Sequence, residues 1–116
     1  MSKYRFSVLY LALIFSSKFS IFLFMKNPVL KLNPKDWVKI GNTYAVVCGV
    51  NEEEQTAEVV YMSSYKAINE DIVCRDGEWA WKSAGLGGGY ADNYSRLSEY
   101  VSILRHDRPT NLVYPN

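Results

Sequence analysis

The stretch TYAVVCGVNEEEQTAEVVYM, residues 43–62, decides how the rest of the chain is interpreted. It holds two runs rich in β-branched and aromatic residues, 43–50 and 57–62, separated by the charged run 51–56. Such runs favour strands, and a polar segment between two of them predicts a β-hairpin with a longer loop. The three adjacent glutamates in that loop are interpreted as a solvated tip, because neighbouring side chains there do not converge on one cation.

The first of these strands is predicted to be central in its sheet. Successive side chains of a strand point to opposite faces, and both faces of residues 43–50 are apolar or small. One face is predicted to carry Tyr44, Val46, Cys48 and Val50, and the other Ala45, Val47 and Gly49.

Short strand signals lie on both sides of the hairpin. Strands are predicted at DWVKI (36–40), AINEDIVC (67–74) and EWAW (78–81), with a turn at RDG (75–77). In the strand 67–74, Ile68 and Ile72 are expected to point inward and Glu70 outward. Short strands with turns at this spacing predict a small antiparallel barrel or sandwich.

The apolar period changes near the end of the chain. Apolar residues recur at helical spacing, which predicts a helix over residues 92–105 with Asp92 or Asn93 as its N-cap. Its apolar face is formed by Tyr94, Leu97, Tyr100, Val101 and Leu104. Pro109 is expected to stop the helix, and residues 107–116 are interpreted as a tail.

The first 25 residues differ in composition from the rest. FSVLYLALIFSSKFSIFLFM, residues 6–25, has the length of a helix that spans a bilayer, although Lys18 lies near its centre. We expect a hydrophobic helix that anchors a single-pass membrane protein, joined to the domain by a linker over 26–35. Two alternatives stay open: a secretory signal peptide, and translation from Met25, which would give a soluble cytoplasmic protein.

Charge argues against nucleic acid as a partner. The formal net charge is +1, and the bases Lys3, Arg5 and Lys18 stand in the first 25 residues, where no acid occurs. The remaining chain therefore carries more acids than bases, which does not suit binding to a phosphate backbone.

Residues suited to catalysis or metal binding are few. Cys48 and Cys74 form no CxxC pair, and His106 is the only histidine, so the sequence predicts two free thiols and no metal site. Cys48 and His106 are residue types that act as nucleophile and base, but nothing in the sequence orients them. We expect no enzyme and no cofactor.

The run GEWAWKSAGLGGGY, residues 77–90, invites two functional hypotheses. Its glycines match neither a Walker loop nor a dinucleotide fingerprint, so they are interpreted as a connection that uses positive φ. Its aromatic residues suit either a core or a groove for an extended peptide. The predicted peptide-binding residues are Tyr61, Trp79, Trp81 and Tyr90.

The run DWVKIGNTYAVVCGVNEEEQTAEVVYM, residues 36–62, resembles the opening of a small SH3-like barrel. The resemblance extends to about residue 81 and concerns the fold. With the predicted helix 92–105 as an addition to the barrel, we expect an α+β, mainly β domain over 36–106. Such barrels commonly serve as interaction modules, so we expect a non-enzymatic, membrane-tethered module with a protein or peptide partner. The alternative is a soluble regulatory or assembly module that begins at Met25.

Overall fold

The computed structural model describes residues 27–83 and 88–116. Within these residues one antiparallel sheet follows the order β1–β2–β3–β4–β5, and the short strand β6 pairs with β4 beyond the end of β5. The strands are β1 (Trp37–Ile40), β2 (Thr43–Asn51), β3 (Thr56–Ser63), β4 (Lys66–Arg75), β5 (Glu78–Trp81) and β6 (Gly89–Tyr90). The predicted hairpin is confirmed, and its first strand lies between two others.

The first and last strands of the path contact each other, which shows that the sheet is curled into a half-barrel. Its concave face is filled by one set of buried side chains, here called the inner cluster. The inner cluster consists of Val29, Leu32, Val38, Ile40, Ala45, Val47, Ala57, Val59, Ile72 and Trp79. Burying this apolar surface is the main term that stabilises the curl.

A C-terminal helix, α1 (Ser98–His106), covers the opposite face of the sheet by packing on β2 and β3. The side chains buried there form a second set, here called the helix-side cluster. It consists of Trp37, Val46, Val60, Ala67, Ala91, Leu97 and Val101. The predicted mainly β architecture with a C-terminal helix is therefore confirmed, and the hydrophobic helix predicted for 6–25 lies outside the described residues.

The helix begins later than the sequence predicted. Two 3₁₀ turns, Ala91–Asn93 and Ser95–Leu97, precede α1. Tyr94 between them is extended, with φ −118° and ψ 113°, and it is exposed instead of facing the core. Neither Asp92 nor Asn93 caps α1, because Leu97 occupies the N-cap position and makes no side-chain cap bond.

The carboxylate of Asp92 is held elsewhere. Arg105, on the last turn of α1, donates to both carboxylate oxygens of Asp92 at 2.7 and 2.9 Å. This bidentate pair joins the end of the helix to the turn that follows β6, and it lowers the pKa of Asp92.

A β-bulge changes the predicted faces of β2. Val47 pairs with Val59 but Gly49 pairs with Glu58, so Cys48 is an extra residue on the strand. Alternation resumes one position out of phase, and Val50 packs against the inner cluster together with Val47. Unbroken alternation predicts Val50 on the opposite face, together with Val46 and Cys48.

The predicted direction of Glu70 is wrong. Every second residue of a strand points to the same face, so residues 68, 70 and 72 of β4 share one face. Glu70 on that face lies opposite Val59 of the inner cluster. A strand cannot direct Ile68 and Ile72 inward while Glu70 points outward.

Both segments that flank the predicted domain pack against it. A 3₁₀ helix at Pro28–Lys31 lies within the predicted linker, and it places Val29 and the following Leu32 in the inner cluster. In the predicted tail, Val113 donates its backbone N–H to the carbonyl of Trp37 at 2.9 Å. Edge strand β1 thereby gains a backbone partner from the C-terminal segment.

Candidate functional site

Two of the predicted peptide-binding residues, Tyr61 and Tyr90, form one row across three strands with Ile68 between them. Tyr61 on β3 lies directly opposite Ile68 on β4, and Ile68 lies opposite Tyr90 on β6. Side chains directly opposite each other in antiparallel strands point to the same face, about 5 Å apart at Cβ. The register therefore aligns Tyr61 and Tyr90 on either side of Ile68, which is 8% exposed.

Trp81 extends this row along the same face. It lies opposite Ile72 on β4, and its ring centroid is 4.8 Å from that of Tyr61, with 43° between the ring planes. Tyr61 and Trp81 are half-buried and pack against the edge of the inner cluster. We call Tyr61, Ile68, Trp81 and Tyr90 the aromatic strip.

Glu70 fixes the position of the Tyr61 ring within the strip. The Tyr61 hydroxyl donates to Glu70 Oε1 at 3.0 Å. Burial and this hydrogen bond to a carboxylate raise the pKa of Tyr61 to about 12, so the phenol stays protonated over the physiological range. The Glu70 carboxylate lies within the strip, between Ile68 and Ile72 along β4, and Ile72 is the cross-strand partner of Trp81.

Trp79 does not contribute to this surface. It is 4% exposed and belongs to the inner cluster. Its indole Nε1–H donates to the carbonyl of Val113 at 2.8 Å. Trp79 shares a strand face with Trp81, as predicted, but the tail covers it, so three of the four predicted binding residues lie together.

A depression of about 330 Å³ adjoins the strip at the turn between β3 and β4. Its walls are formed by Ser63, Ser64, Tyr65, Lys66, Ile68 and Tyr90. Tyr65 is 93% exposed at the tip of the turn, and Tyr90 is 51% exposed. The Lys66 ammonium lies 4.6 Å from the centre of the Tyr90 ring, within the range of a cation–π interaction.

Beyond the helix-side cluster, the helix side of β3 and β4 carries polar residues around Glu58. Glu58 on β3 accepts two hydrogen bonds from the Arg96 guanidinium, at 2.8 and 3.0 Å, and one from Asn69 at 3.1 Å. The bonds from Arg96 lower the pKa of Glu58. Asp71 lies near Glu58, and burial together with the surrounding carboxylates raises its pKa.

Cys48 and Cys74 are free and half-buried. They lie on β2 and β4, two strand spacings or about 10 Å apart across the sheet and offset further along it, which is too far for a disulfide. Burial raises the pKa of the Cys48 thiol to about 12. That thiol points to the carbonyl of Val46 at 3.8 Å, whereas His106 Nδ1 lies 2.9 Å from the carbonyl oxygen of Ser102.

The glycine run is described only in part, because Gly85 and Gly87 lie outside the described residues. A Cβ at Gly88 would overlap the backbone carbonyl of Asn69. Glycine is required there because two backbones approach closely, and this approach brings Tyr90 against Ile68.

Sequence reasoning missed Lys66, Ile68 and Glu70 as members of this region. The signal that identifies them is the two-residue loop Ser64–Tyr65, since Ser63 pairs with Lys66. With that loop length known, the position of Tyr61 fixes Ile68 as its cross-strand partner.

A comparison of the chain with known protein families, curated proteins and solved structures finds no match. Over residues 27–83 and 88–116, no helix combines the length and apolar character needed to cross a bilayer.

Proposed function

We propose that this chain is a non-enzymatic interaction module whose SH3-like half-barrel binds an extended peptide on the aromatic strip. The observation that carries the proposal is the cross-strand row of Tyr61, Ile68 and Tyr90, with Trp81 in contact with Tyr61. Aromatic surfaces on small β-barrels suit extended peptides, because rings offer a large contact area at low cost in side-chain entropy.

The burial pattern supports binding over a purely structural role for the strip. Tyr90 is exposed, Tyr61 and Trp81 are half-buried, and Ile68 forms a buried floor between the tyrosines. The inner cluster is filled without them by Val29, Leu32, the aliphatic residues of β1 to β4 and Trp79. The strip is thus held in place by the core while its outer edges stay accessible to a ligand.

We further propose that residues 6–25 tether the module to a membrane, on the basis of their length and apolar composition. Translation from Met25 would instead produce a soluble regulatory or assembly module. That shorter chain would keep every described residue, and with them the aromatic strip.

The test is selection of random decapeptides by phage display on the immobilised full chain in a non-ionic detergent. A selected peptide is then titrated against the Tyr90→Ser variant and against a matched control, Tyr114→Ser. Tyr114 is 56% exposed and Tyr90 is 51% exposed, so the two substitutions remove similar accessible surface.

We expect Tyr90→Ser to weaken binding about tenfold, equivalent to about 1.4 kcal/mol. Tyr114→Ser should leave the affinity unchanged. Failure to select any peptide, or equal losses in the two variants, would overturn the proposal.

A further inference from the structure

The two ends of the half-barrel differ in charge and in aromatic content. In an antiparallel sheet alternate turns lie at the same end, so turns 41–42 and 64–65 lie together, and turns 52–55 and 76–77 lie at the other end. The eight residues of β3 separate these ends by about 25 Å at 3.3 Å per residue. We call the first the tyrosine end and the second the glutamate end.

The described chain begins at the glutamate end. The Asn27 side chain donates to Gln55 at 3.2 Å, which places the start of the described residues beside turn 52–55. Exposed carboxylates surround this end, from Glu52, Glu53, Glu54, Asp76 and Glu78. A tether formed by the preceding residues would therefore hold the glutamate end nearest to its anchor.

The tyrosine end presents cations beside aromatic rings. Lys66 lies over Tyr90 at 4.6 Å, and Lys39 lies 5.3 Å from the centre of the Tyr44 ring. Arg105 reaches the same end, where it lies 3.4 Å from the carbonyl of Tyr65. Arg105 is paired with Asp92, and Asp107 lies in the same depression as Tyr44. No carboxylate among residues 27–83 and 88–116 forms a salt bridge with Lys66.

We infer that the peptide bound by the aromatic strip is acidic and places its carboxylates at the tyrosine end. This inference rests on the proposed function and specifies the class of ligand. An acidic side chain next to an apolar or aromatic one would meet the Lys66 ammonium while its neighbour contacts Tyr65 and Tyr90. Glu70, which lies on the Trp81 side of Ile68, repels carboxylates and so fixes the direction in which the peptide lies.

The experiment measures fluorescence anisotropy of the full chain with three fluorescein-labelled decapeptide mixtures. All three mixtures have aromatic residues and proline at the same positions. The remaining positions hold Asp and Glu in the acidic mixture, Ser and Asn in the neutral mixture, and Lys and Arg in the basic mixture. A fluorescein-labelled oligothymidylate is the fourth probe. Each is titrated against the wild type, Lys66→Glu and the control Lys31→Glu, which reverses an exposed charge outside the tyrosine end.

We expect the acidic mixture to bind about tenfold more tightly than the neutral one, with an affinity that falls as salt is added. Lys66→Glu should abolish this preference, and Lys31→Glu should keep it. Equal affinity for the three peptide mixtures, or no effect of Lys66→Glu, would overturn the inference while the proposed peptide binding stands. Tighter binding of the oligothymidylate than of the acidic mixture would overturn both, as would no binding by any probe.

Discussion

Trp79 donates its indole N–H to the backbone carbonyl of Val113 at 2.8 Å, 34 residues further along the chain. The N–H of the same Val113 donates to Trp37 on β1 at 2.9 Å. Val113 therefore links the first and last strands of the sheet path, β1 and β5. The C-terminal segment, predicted to be a tail, closes the opening of the half-barrel and covers Trp79.

Truncation of the chain after Asn111 should destabilise the fold. It removes the acceptor for a buried indole N–H and the donor to β1, and an unsatisfied buried donor costs about 1–3 kcal/mol. Urea unfolding at neutral pH measures the loss. Truncation after Tyr114 retains both bonds and should leave the free energy of unfolding within about 0.5 kcal/mol of the wild type. Equal stability of the two truncated chains would show that Val113 does not link the strands in solution.

The pair of Glu58 and Arg96 predicts a pH dependence with a defined sign. Arg96 lowers the pKa of Glu58 in the folded protein, so the unfolded chain binds the proton at higher pH. The pair therefore stabilises the fold above the unfolded pKa, about 4.3, and this contribution is lost as the pH falls through the lower folded pKa. Arg96→Gln should cost about 1 kcal/mol at pH 7.

Urea unfolding of the wild type and Arg96→Gln between pH 7 and pH 3 tests this sign. The difference in stability between the two should shrink as the pH falls. Arg108→Gln, which removes another exposed guanidinium, should give a small difference at every pH. A gap between the wild type and Arg96→Gln that stays constant down to pH 3 would contradict the account.

Cys48 should resist alkylation in the folded protein. Its pKa is raised to about 12, so the thiolate that reacts with iodoacetamide is scarce at pH 8. Peptide mass spectrometry after a timed reaction locates the modified residue, and the same reaction in urea is the control. Rapid modification of Cys48 without denaturant would show that the thiol is accessible, and the nucleophile hypothesis would regain support.

Gly88→Ala should weaken both the fold and the proposed site. The added Cβ would overlap the carbonyl of Asn69, so β6 must move away from β4 and carry Tyr90 with it. We expect a loss of about 1–3 kcal/mol in urea unfolding. At Gly49 an added Cβ would meet nothing within 4 Å, so Gly49→Ala is the matched control. Similar stabilities for the two variants would mean that β6 does not approach Asn69 as described.

Local patterns predicted the strands and turns of this fold well. Alternation and β-branched residues located β2 and β3, and the Asp-Gly dipeptide marked a turn in which both residues have positive φ, 56° and 77°. The bulge at Cys48 was not predictable, because it depends on pairing with β3 and leaves no mark in the periodicity of β2. The late start of the helix was missed for a similar reason, since the pairing of Asp92 with Arg105 is a tertiary contact.

The candidate site was predicted in part. Alternation placed Trp79 and Trp81 on one face, but only the tertiary contact with Val113 separates a covered tryptophan from a half-exposed one. The pairing of Tyr61 with Ile68 depends on sheet register, which the length of the loop at 64–65 sets. The pairing of Ile68 with Tyr90 depends on where β6 joins β4. Residue type therefore identified the aromatic members, and register determined which of them meet.

The accessible tryptophan surface should come from one side chain. Trp37 and Trp79 are 6% and 4% exposed, whereas Trp81 is half-buried. Acrylamide should quench one component of the emission, and Trp81→Phe should remove that component while keeping an aromatic ring beside Tyr61. Uniform, weak quenching in both proteins would place Trp81 in the core and remove it from the strip.

The most direct test of peptide binding on the aromatic strip is chemical-shift mapping of the isotope-labelled full chain with a decapeptide selected by display. The account predicts the largest changes at the amides of Tyr61, Lys66 to Glu70 and Tyr90, and at the Trp81 indole. Changes confined to α1 or to the C-terminal segment, with these signals unmoved, would contradict it.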